Sequence, residues 1–145
     1  MKKISTVLKE EYNQIIEIWE LSVKATHDFL SHDDFDYYKQ MIENKYIDNV
    51  QLYAVRNDVD KILGFMGILD DKIEMLFVRP EEMRKGIGKF LVDYAIGELR
   101  IKKVDVNEQN GDAIAFYKKC GFVAYERMDK DNEMKNYPIL KMQLH

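Results

Sequence analysis

The sequence predicts a mixed α/β fold, in which a mostly antiparallel central sheet contains one parallel strand pair and carries helices on both faces. Three strand patterns follow one another between residues 51 and 78 with only short turns between them, which is typical of an antiparallel meander. The third of these strands is followed by a glycine-rich turn and a helix, and the next strand pattern comes at residues 103–106. Because a helix separates them, the strands at 73–78 and 103–106 are expected to be parallel neighbours.

The composition is that of one globular domain spanning residues 1–145. Apolar residues make up 46% and aromatic residues 12% of the chain, which argues against disorder. A net charge of −4 argues against a general affinity for nucleic acid, and no apolar run approaches the ~20 residues that span a membrane. The single cysteine, Cys120, fits a reducing compartment, and the N-terminus has no signal-peptide pattern. We therefore expect a cytoplasmic protein without nucleic-acid or membrane partners, and either a monomer or a homodimer.

The N-terminal third is expected to contain two helices. Apolar residues have helical spacing from residue 9 to about residue 26, and again up to about residue 46. A short break at 27–31 separates the two segments, and Ser31 or Asp33 is suited to cap the second helix.

Seven strands and two further helices complete the prediction. The helix after the glycine turn places its apolar residues at helical spacing from 87 to 95, and a helix at 112–119 has Asn110 as its expected N-cap. The predicted strands are residues 3–8, 51–56, 62–69, 73–78, 103–106, 122–128 and 137–144. Residues 129–136 are a polar hairpin loop between the last two.

The basic glycine turn at residues 83–88, Met-Arg-Lys-Gly-Ile-Gly, is interpreted as a pyrophosphate-binding loop. Such a turn directs several backbone N–H groups toward one point, and the following helix N-terminus adds partial positive charge. Arg84, Lys85 and Lys89 add full charges around it. The turn lacks the features of a Walker loop or of a dinucleotide fingerprint, and its alternative interpretation is a turn whose glycines serve geometry alone.

Three segments, taken in order, carry a family resemblance. They are Leu76-Phe77-Val78-x-Pro80, then Met83-Arg84-Lys85-Gly86-Ile87-Gly88, then Asn110-x-x-Ala113-x-x-Phe116-Tyr117-x-x-x-Gly121-Phe122. This order resembles the GNAT superfamily of acetyl-CoA-dependent N-acetyltransferases. Residues 18–30 and 106–110 further resemble its YjaB-type bacterial members, so that the resemblance covers nearly the whole chain.

The resemblance implies a GNAT-like fold in which the parallel strands splay apart and hold acetyl-CoA, as a cosubstrate, in the V between them. No metal is implied. The cofactor-binding residues implied in this way are Leu76, Phe77 and Val78 along pantetheine, Met83, Arg84, Lys85, Gly86, Ile87, Gly88 and Lys89 at the pyrophosphate, and Asn110 and Tyr117 from the other side. The family loop usually has Arg or Gln where this chain has Met83. The backbone donors need no particular side chain, so this difference affects how side chains brace the loop.

The implied reaction is direct transfer of an acetyl group from a thioester to an amine. A backbone N–H of the central strand near Phe77 is expected to stabilise the tetrahedral oxyanion. Tyr117 stands at the family's position for the acid that protonates the departing thiolate. Its alternative interpretation is a core aromatic residue on the apolar face of its helix.

The general base is left open between two residues. Glu74 is the one charge within the central strand, and its alternative interpretation is an outward-facing strand residue. His27 has an ordinary pKa suited to the task, and its alternative interpretation is a surface residue at a helix end. Asp105 and Glu108 are weaker candidates.

The sequence therefore leaves three classes of function. The preferred one is an N-acetyltransferase that acts on a small primary amine or on a protein lysine. The alternative is a non-catalytic CoA-binding or regulatory module of the same fold, which the departure at Met83 makes worth testing. A nucleotide-phosphate binder ranks below both.

Overall fold

The computed structural model describes residues 2–145, and the strands in this range form one seven-stranded sheet. The strands are β1 (Lys3–Thr6), β2 (Gln51–Arg56), β3 (Ile62–Leu69), β4 (Lys72–Val78), β5 (Lys103–Asn107), β6 (Phe122–Met128) and β7 (Ile139–Leu144). Their order across the sheet is β1-β2-β3-β4-β5-β7-β6, and β4 with β5 is its parallel pair. All seven strands were predicted, although β1 ends before residue 8 and β7 begins after residue 137.

The helices are α1 (Tyr12–Thr26), α2 (His32–Met41), α3 (Ile47–Asn49), α4 (Ile87–Gly97) and α5 (Gly111–Lys119). A π-helical turn, Ile42–Tyr46, joins α2 to α3, so the second predicted helix continues three residues beyond its expected end at residue 46. Two expected caps are confirmed. The Ser31 hydroxyl accepts from the Asp34 N–H at 3.1 Å, and the Asn110 side chain accepts from the Ala113 N–H at 3.2 Å.

Helices cover both faces of the sheet, as predicted. On one face α1 and the residues after α2 pack against β2 and β3 through a cluster that includes Trp19, Ile47 and Phe65. On the other face α4 and α5 pack through a cluster that includes Leu91 and Tyr117. Because β3 is buried from both sides, its residues are apolar almost without interruption rather than alternating with polar ones.

The parallel pair separates after two residues, which confirms the predicted splay. β4 and β5 pair at Lys72 with Lys103 and at Ile73 with Val104. Beyond these residues β4 stays paired with β3, whereas β5 stays paired with β7, so a V-shaped cleft opens between them.

The far end of β4 is anchored away from β5 by Arg79. The Arg79 N–H donates to the Leu63 carbonyl at 2.9 Å, and its Nε donates to the Ile62 carbonyl at 2.7 Å. Its guanidinium also donates to Glu17 of α1 at 2.8 Å. Arg79 is buried, and these three contacts hold one arm of the V to β3 and α1.

Candidate active site

The glycine turn forms a concave backbone surface at the start of α4. Arg84 has a φ of 63° and Gly86 a φ of 87°, both in the left-handed region. The first intrahelical bond runs from the Phe90 N–H to the Gly86 carbonyl at 2.9 Å, so the N–H groups of residues 87–89 have no carbonyl acceptor within the helix. Left-handed residues before a helix N-terminus bring successive N–H groups together in an anion-binding concavity.

The two glycines of the turn serve different purposes. A Cβ at Gly86 would meet nothing within 4 Å, so what this position requires is its left-handed backbone. A Cβ at Gly88 would lie 3.3 Å from the Phe116 ring and 3.8 Å from Leu76. Gly88 therefore lets the start of α4 approach α5 and β4 closely at the mouth of the cleft.

Arg84 is the cation of the turn that has no ion-pair partner among residues 2–145. Lys85 lies 3.7 Å from Glu82, and Lys89 lies 2.6 Å from Asp93. The Arg84 side chain is exposed, whereas Met83 is half-buried and extended, with a ψ of 150°. Among the cations of the turn, Arg84 is thus both exposed and without an ion pair in the described range.

The amides of β4 that face the cleft are those of Leu76 and Val78. The residue after β4, Arg79, donates its N–H to Leu63 of β3. Phe77, which lies two residues before Arg79, pairs with Phe65 of β3. Because N–H groups alternate in direction along a strand, the Phe77 amide also faces β3. An oxyanion donor near Phe77 is therefore the amide of Leu76 or Val78.

Glu74 is turned toward the cleft by a β-bulge. Met75 pairs with Gly67, and Ile73 pairs with the next residue of β3, Ile68, so Glu74 has no opposite residue. Bulges of this kind redirect a side chain and increase the local twist, and they are frequent beside active sites. The expectation of an ordinary outward-facing strand residue does not describe this geometry.

A cavity of about 420 Å³ lies where the cleft opens toward α1 and α2. Its walls include His27, Glu74, Phe77, Asp105 and Tyr137. The apolar floor and the remaining wall come from residues of α1, of the helix after Ser31, and of the loop at 129–138. A larger depression, of about 640 Å³, contains none of the predicted site residues and lies against residues 96–103.

His27 enters this cavity as a half-buried neutral imidazole. Burial lowers its pKa below the ordinary value of 6.5, and the charge of Asp28 opposes that shift only in part. The ring lies 5.2 Å from the Phe29 ring and 6.5 Å from the Phe77 ring, measured between centroids. These apolar neighbours account for the preference for the uncharged form.

Glu74 is held in an ion pair at the apex of the V. Lys72 Nζ lies 3.1 Å from Glu74 Oε1 and 2.8 Å from Asp105 Oδ2, so it bridges β4 and β5. Burial acts to lower the pKa of Lys72, but the hydrogen bonds with Asp105 and Glu74 outweigh it and raise the pKa. Two candidate bases are therefore already engaged by one ammonium group, whereas His27 is not.

Tyr117 lies in the core between α5 and the sheet and does not line this cavity. Its side chain is 6% exposed, and its ring contacts Phe116 and Phe122 at centroid distances of 5.0 and 5.7 Å. Its hydroxyl makes no hydrogen bond to a protein group within residues 2–145. In that range, every side-chain oxygen that is fully buried has a hydrogen-bond partner, so the Tyr117 hydroxyl is not fully buried. The hydroxyl oxygen therefore keeps contact with open space. Burial raises the pKa of Tyr117, which keeps the phenol protonated.

A wall that the sequence did not reveal closes the cavity on its outer side. Tyr38 of α2 donates to Asp131, and Tyr37 donates to Glu133 at 3.0 Å. Lys135 lies 2.9 Å from Asp34, which also accepts from the Tyr137 hydroxyl. Residues 129–136 were expected to be only a hairpin loop, and the one available signal was that acidic residues recur in both segments.

The splayed parallel pair, the glycine turn at a helix N-terminus and the cavity beyond them define an acyltransferase of mixed α/β fold. Residues 48–124 match the family model described as an acetyltransferase (GNAT) domain. The chain belongs to the GNAT family of acetyltransferases.

Two relatives and one more distant structure illustrate this membership. The chain is 36% identical over 133 residues to the peptidyl-lysine N-acetyltransferase YjaB of Salmonella typhimurium, covering 92% of this chain and 91% of that protein. The solution structure of apo YjaB from Escherichia coli superposes with a TM-score of 0.91 at 32% identity, over 99% of this chain and 97% of the other. The PaiA N-acetyltransferase of Thermoplasma acidophilum, solved with coenzyme A, shares the fold at a TM-score of 0.76 and 20% identity, over 100% and 99% of the two chains. The GNAT-like fold and the acetyltransferase class are thereby confirmed.

Proposed function

We propose that this protein transfers the acetyl group of acetyl-CoA directly to the side-chain amine of a protein lysine. The observation that carries the proposal is the continuity of the V-shaped cleft with the cavity that holds His27 and Glu74. The names of the YjaB relatives support a lysine acceptor. A small primary amine is the other acceptor class that the cavity admits.

The residues at the cleft fit a long anionic cosubstrate. The free edge of β4 offers the amides of Leu76 and Val78 to the polar groups of pantetheine. The turn at residues 83–88, with the unpaired Arg84 and the start of α4, suits the pyrophosphate. Asn110 holds its side-chain oxygen in the α5 cap and leaves its amide N–H groups for a ligand.

His27 is proposed as the general base. A lysine amine with an ordinary pKa of ~10.4 is mostly protonated at pH 7 and must lose a proton before it attacks. His27 is neutral at that pH, lines the acceptor cavity and carries no ion-pair partner within residues 2–145. Glu74 is the second candidate for the base. Because it forms an ion pair with Lys72, it is better suited to balance the charge of that ammonium group at the apex of the V.

Tyr117 is proposed as the acid that protonates the departing thiolate. Its phenol remains protonated because burial raises its pKa, and its hydroxyl is not bound by another protein group in the described range. The amide of Leu76 or Val78 would donate to the oxyanion of the tetrahedral intermediate.

We further infer that residues 1–145 form one domain that works in the cytoplasm, which the single Cys120 supports.

A thiol-release assay with acetyl-CoA and a panel of acceptors tests the function. The panel contains lysine peptides, the same peptides with Nζ blocked, and small primary amines. We expect thiol release with the free lysine peptides and none with the blocked ones. Tight CoA binding without transfer to any amine would instead identify a non-catalytic module, and transfer to small amines alone would replace the lysine acceptor.

A further inference from the structure

Thr26, the last residue of α1, uses its one hydroxyl group to make two short contacts. Its Oγ1 lies 2.8 Å from the Ser22 carbonyl oxygen and 2.7 Å from Nδ1 of His27. A carbonyl oxygen has no proton to give, so the Thr26 hydroxyl must donate its one proton to Ser22. If the proton went to His27 instead, two acceptor oxygens would face each other at 2.8 Å with no hydrogen between them.

This arrangement fixes the tautomer of His27. Because the Thr26 proton is committed to Ser22, the contact with His27 requires Nδ1 to carry the hydrogen and donate it. A neutral imidazole has only one N–H, so Nε2 keeps a lone pair. Nε2 makes no hydrogen bond to any group within residues 2–145. The free lone pair therefore lies on Nε2, the ring nitrogen that does not contact Thr26.

Within residues 2–145 the ring makes no hydrogen bond other than the one with Thr26, although the charge of Asp28 acts on it. Phe29 and Phe77 contact His27, and neither has a hydrogen-bonding side chain. The ring also lines the acceptor cavity beside Glu74. Thr26 is thus the group in the described range that determines which ring nitrogen carries the proton.

We propose that Thr26 is a positioning residue for acetyl transfer, which holds His27 as the Nδ1–H tautomer so that Nε2 can accept a proton from the acceptor ammonium. This rests on the proposed role of His27 as the base. In the step, one N–H bond of the ammonium breaks and an Nε2–H bond forms, which leaves a neutral amine and an imidazolium. Thr26 Oγ1 accepts from Nδ1 in both states, so the ring need not turn during the reaction.

Nitrogen-15 NMR of the imidazole rings tests the tautomer without any activity assay. The chain has three histidines, and a His27→Gln variant assigns the His27 signals. In the wild type and in Thr26→Ser, the neutral ring should show a protonated Nδ1 and an unprotonated Nε2. In Thr26→Val, which keeps the shape but removes the acceptor, the Nε2–H tautomer should grow. An unchanged tautomer in Thr26→Val would overturn the proposal.

Steady-state kinetics on a lysine peptide tests the consequence for catalysis. Thr26→Val should lower kcat by about tenfold, part of the usual contribution of a general base, and leave KM for acetyl-CoA unchanged. Thr26→Ser should restore the rate, and Thr6→Val supplies a matched control at the one other threonine. A Thr26→Val enzyme with an altered tautomer but full kcat would also overturn the proposal. A wild type without transfer to any amine would contradict the proposed function instead, and the NMR result would still decide what Thr26 does.

Discussion

At the scale of single residues, the two candidate bases lie in opposite electrostatic settings within one cavity. Glu74 is turned inward by a bulge and is compensated by Lys72, whose ammonium it shares with Asp105. His27 has no ion-pair partner within residues 2–145, and burial beside aromatic rings lowers its pKa, which the charge of Asp28 opposes only in part. A group that is neutral near pH 7 can take a proton without first breaking an ion pair, which favours His27.

His27→Gln and Glu74→Gln should therefore differ in their dependence on pH. The lowered pKa leaves His27 uncharged from below pH 6.5 upward, so the wild type gains its base on the acid side of neutrality. His27→Gln should lose most of kcat/KM near pH 7 and recover partly at high pH, where the free amine is already neutral. The measurement is kcat/KM for a lysine peptide across pH.

The comparison variant Glu74→Gln should lose less at pH 7 and show less recovery. An equal loss at every pH in His27→Gln would assign it to binding or folding. If neither variant loses activity, the base is a water relay or the substrate itself.

Tyr117→Phe separates an acid from a packing residue. The change keeps the ring against Phe116 and Phe122 and removes only the hydroxyl, so thermal stability and CoA affinity should barely change. Turnover should fall by roughly 10²-fold or more, the usual contribution of a general acid. Tyr125→Phe, at an exposed position on β6, is the control. Full turnover in Tyr117→Phe would return this residue to the core alone.

At the scale of elements, the glycine turn depends on backbone shape more than on side chains. Gly88→Val should weaken CoA binding by at least ~1.4 kcal/mol, tenfold in affinity, because the branched side chain meets the Phe116 ring and blocks the approach to the turn. Gly86→Val should have the same effect through its left-handed backbone. Gly97→Ala, where a Cβ meets nothing within 4 Å, should leave affinity unchanged. Calorimetry that finds unaltered affinity in a folded Gly88→Val protein would refute the assignment of the loop.

The ion pair of Arg56 with Glu11 joins β1, β2 and the start of α1. Arg56 donates to Glu11 at 2.6 and 2.8 Å and also to Ser5 at 2.7 Å. The Glu11 side chain is 15% exposed, and its hydrogen bond with Arg56, followed by that with the Leu8 N–H, lowers its pKa from 4.5 to about 2. Because the folded state lowers this pKa, its stabilisation is fully present above pH 4.5 and is lost as the pH falls toward 2.

Glu11→Gln should thus lower the free energy of unfolding at pH 7 by roughly 2 kcal/mol, a figure reduced for the partial exposure of the pair. The difference from the wild type should shrink between pH 4.5 and pH 2. Denaturant unfolding at several pH values measures it, and Glu10→Gln, at the neighbouring exposed position, is the control. A difference that stays constant over this range would mean that the ionised carboxylate is not what stabilises the junction.

At the scale of the whole molecule, the sequence predicted what depends on local pattern. The meander β2–β4 follows from alternating apolar runs and short turns, and the parallel placement of β5 follows from the helix before it. The bulge at Glu74 was not predicted because a single unpaired residue leaves no periodic signal. Tyr117 shows a different limit, since a core residue and a cleft acid occupy the same face of α5 and follow the same spacing.

The wall that α2 and residues 129–137 form on the outer side of the cavity was not predicted, for another reason. The contact between Tyr38 and Asp131 joins residues 93 positions apart, and no local pattern encodes such a pairing. The same holds for the position of β7 between β5 and β6, which is fixed by long-range strand pairing. The proposed CoA-binding segment, from β4 to the start of α4, is thus continuous in sequence, whereas the cavity proposed for the acceptor is assembled from distant segments.

A crystal structure with a bisubstrate conjugate, in which coenzyme A is joined through an acetyl linker to Nζ of a lysine peptide, tests the proposed site most directly. We predict that the pyrophosphate lies on residues 83–88 and pantetheine along the free edge of β4, at Leu76 and Val78. The lysine side chain should enter the cavity of about 420 Å³ beside His27. Electron density that places the lysine outside this cavity, or the pyrophosphate away from the glycine turn, would contradict the account.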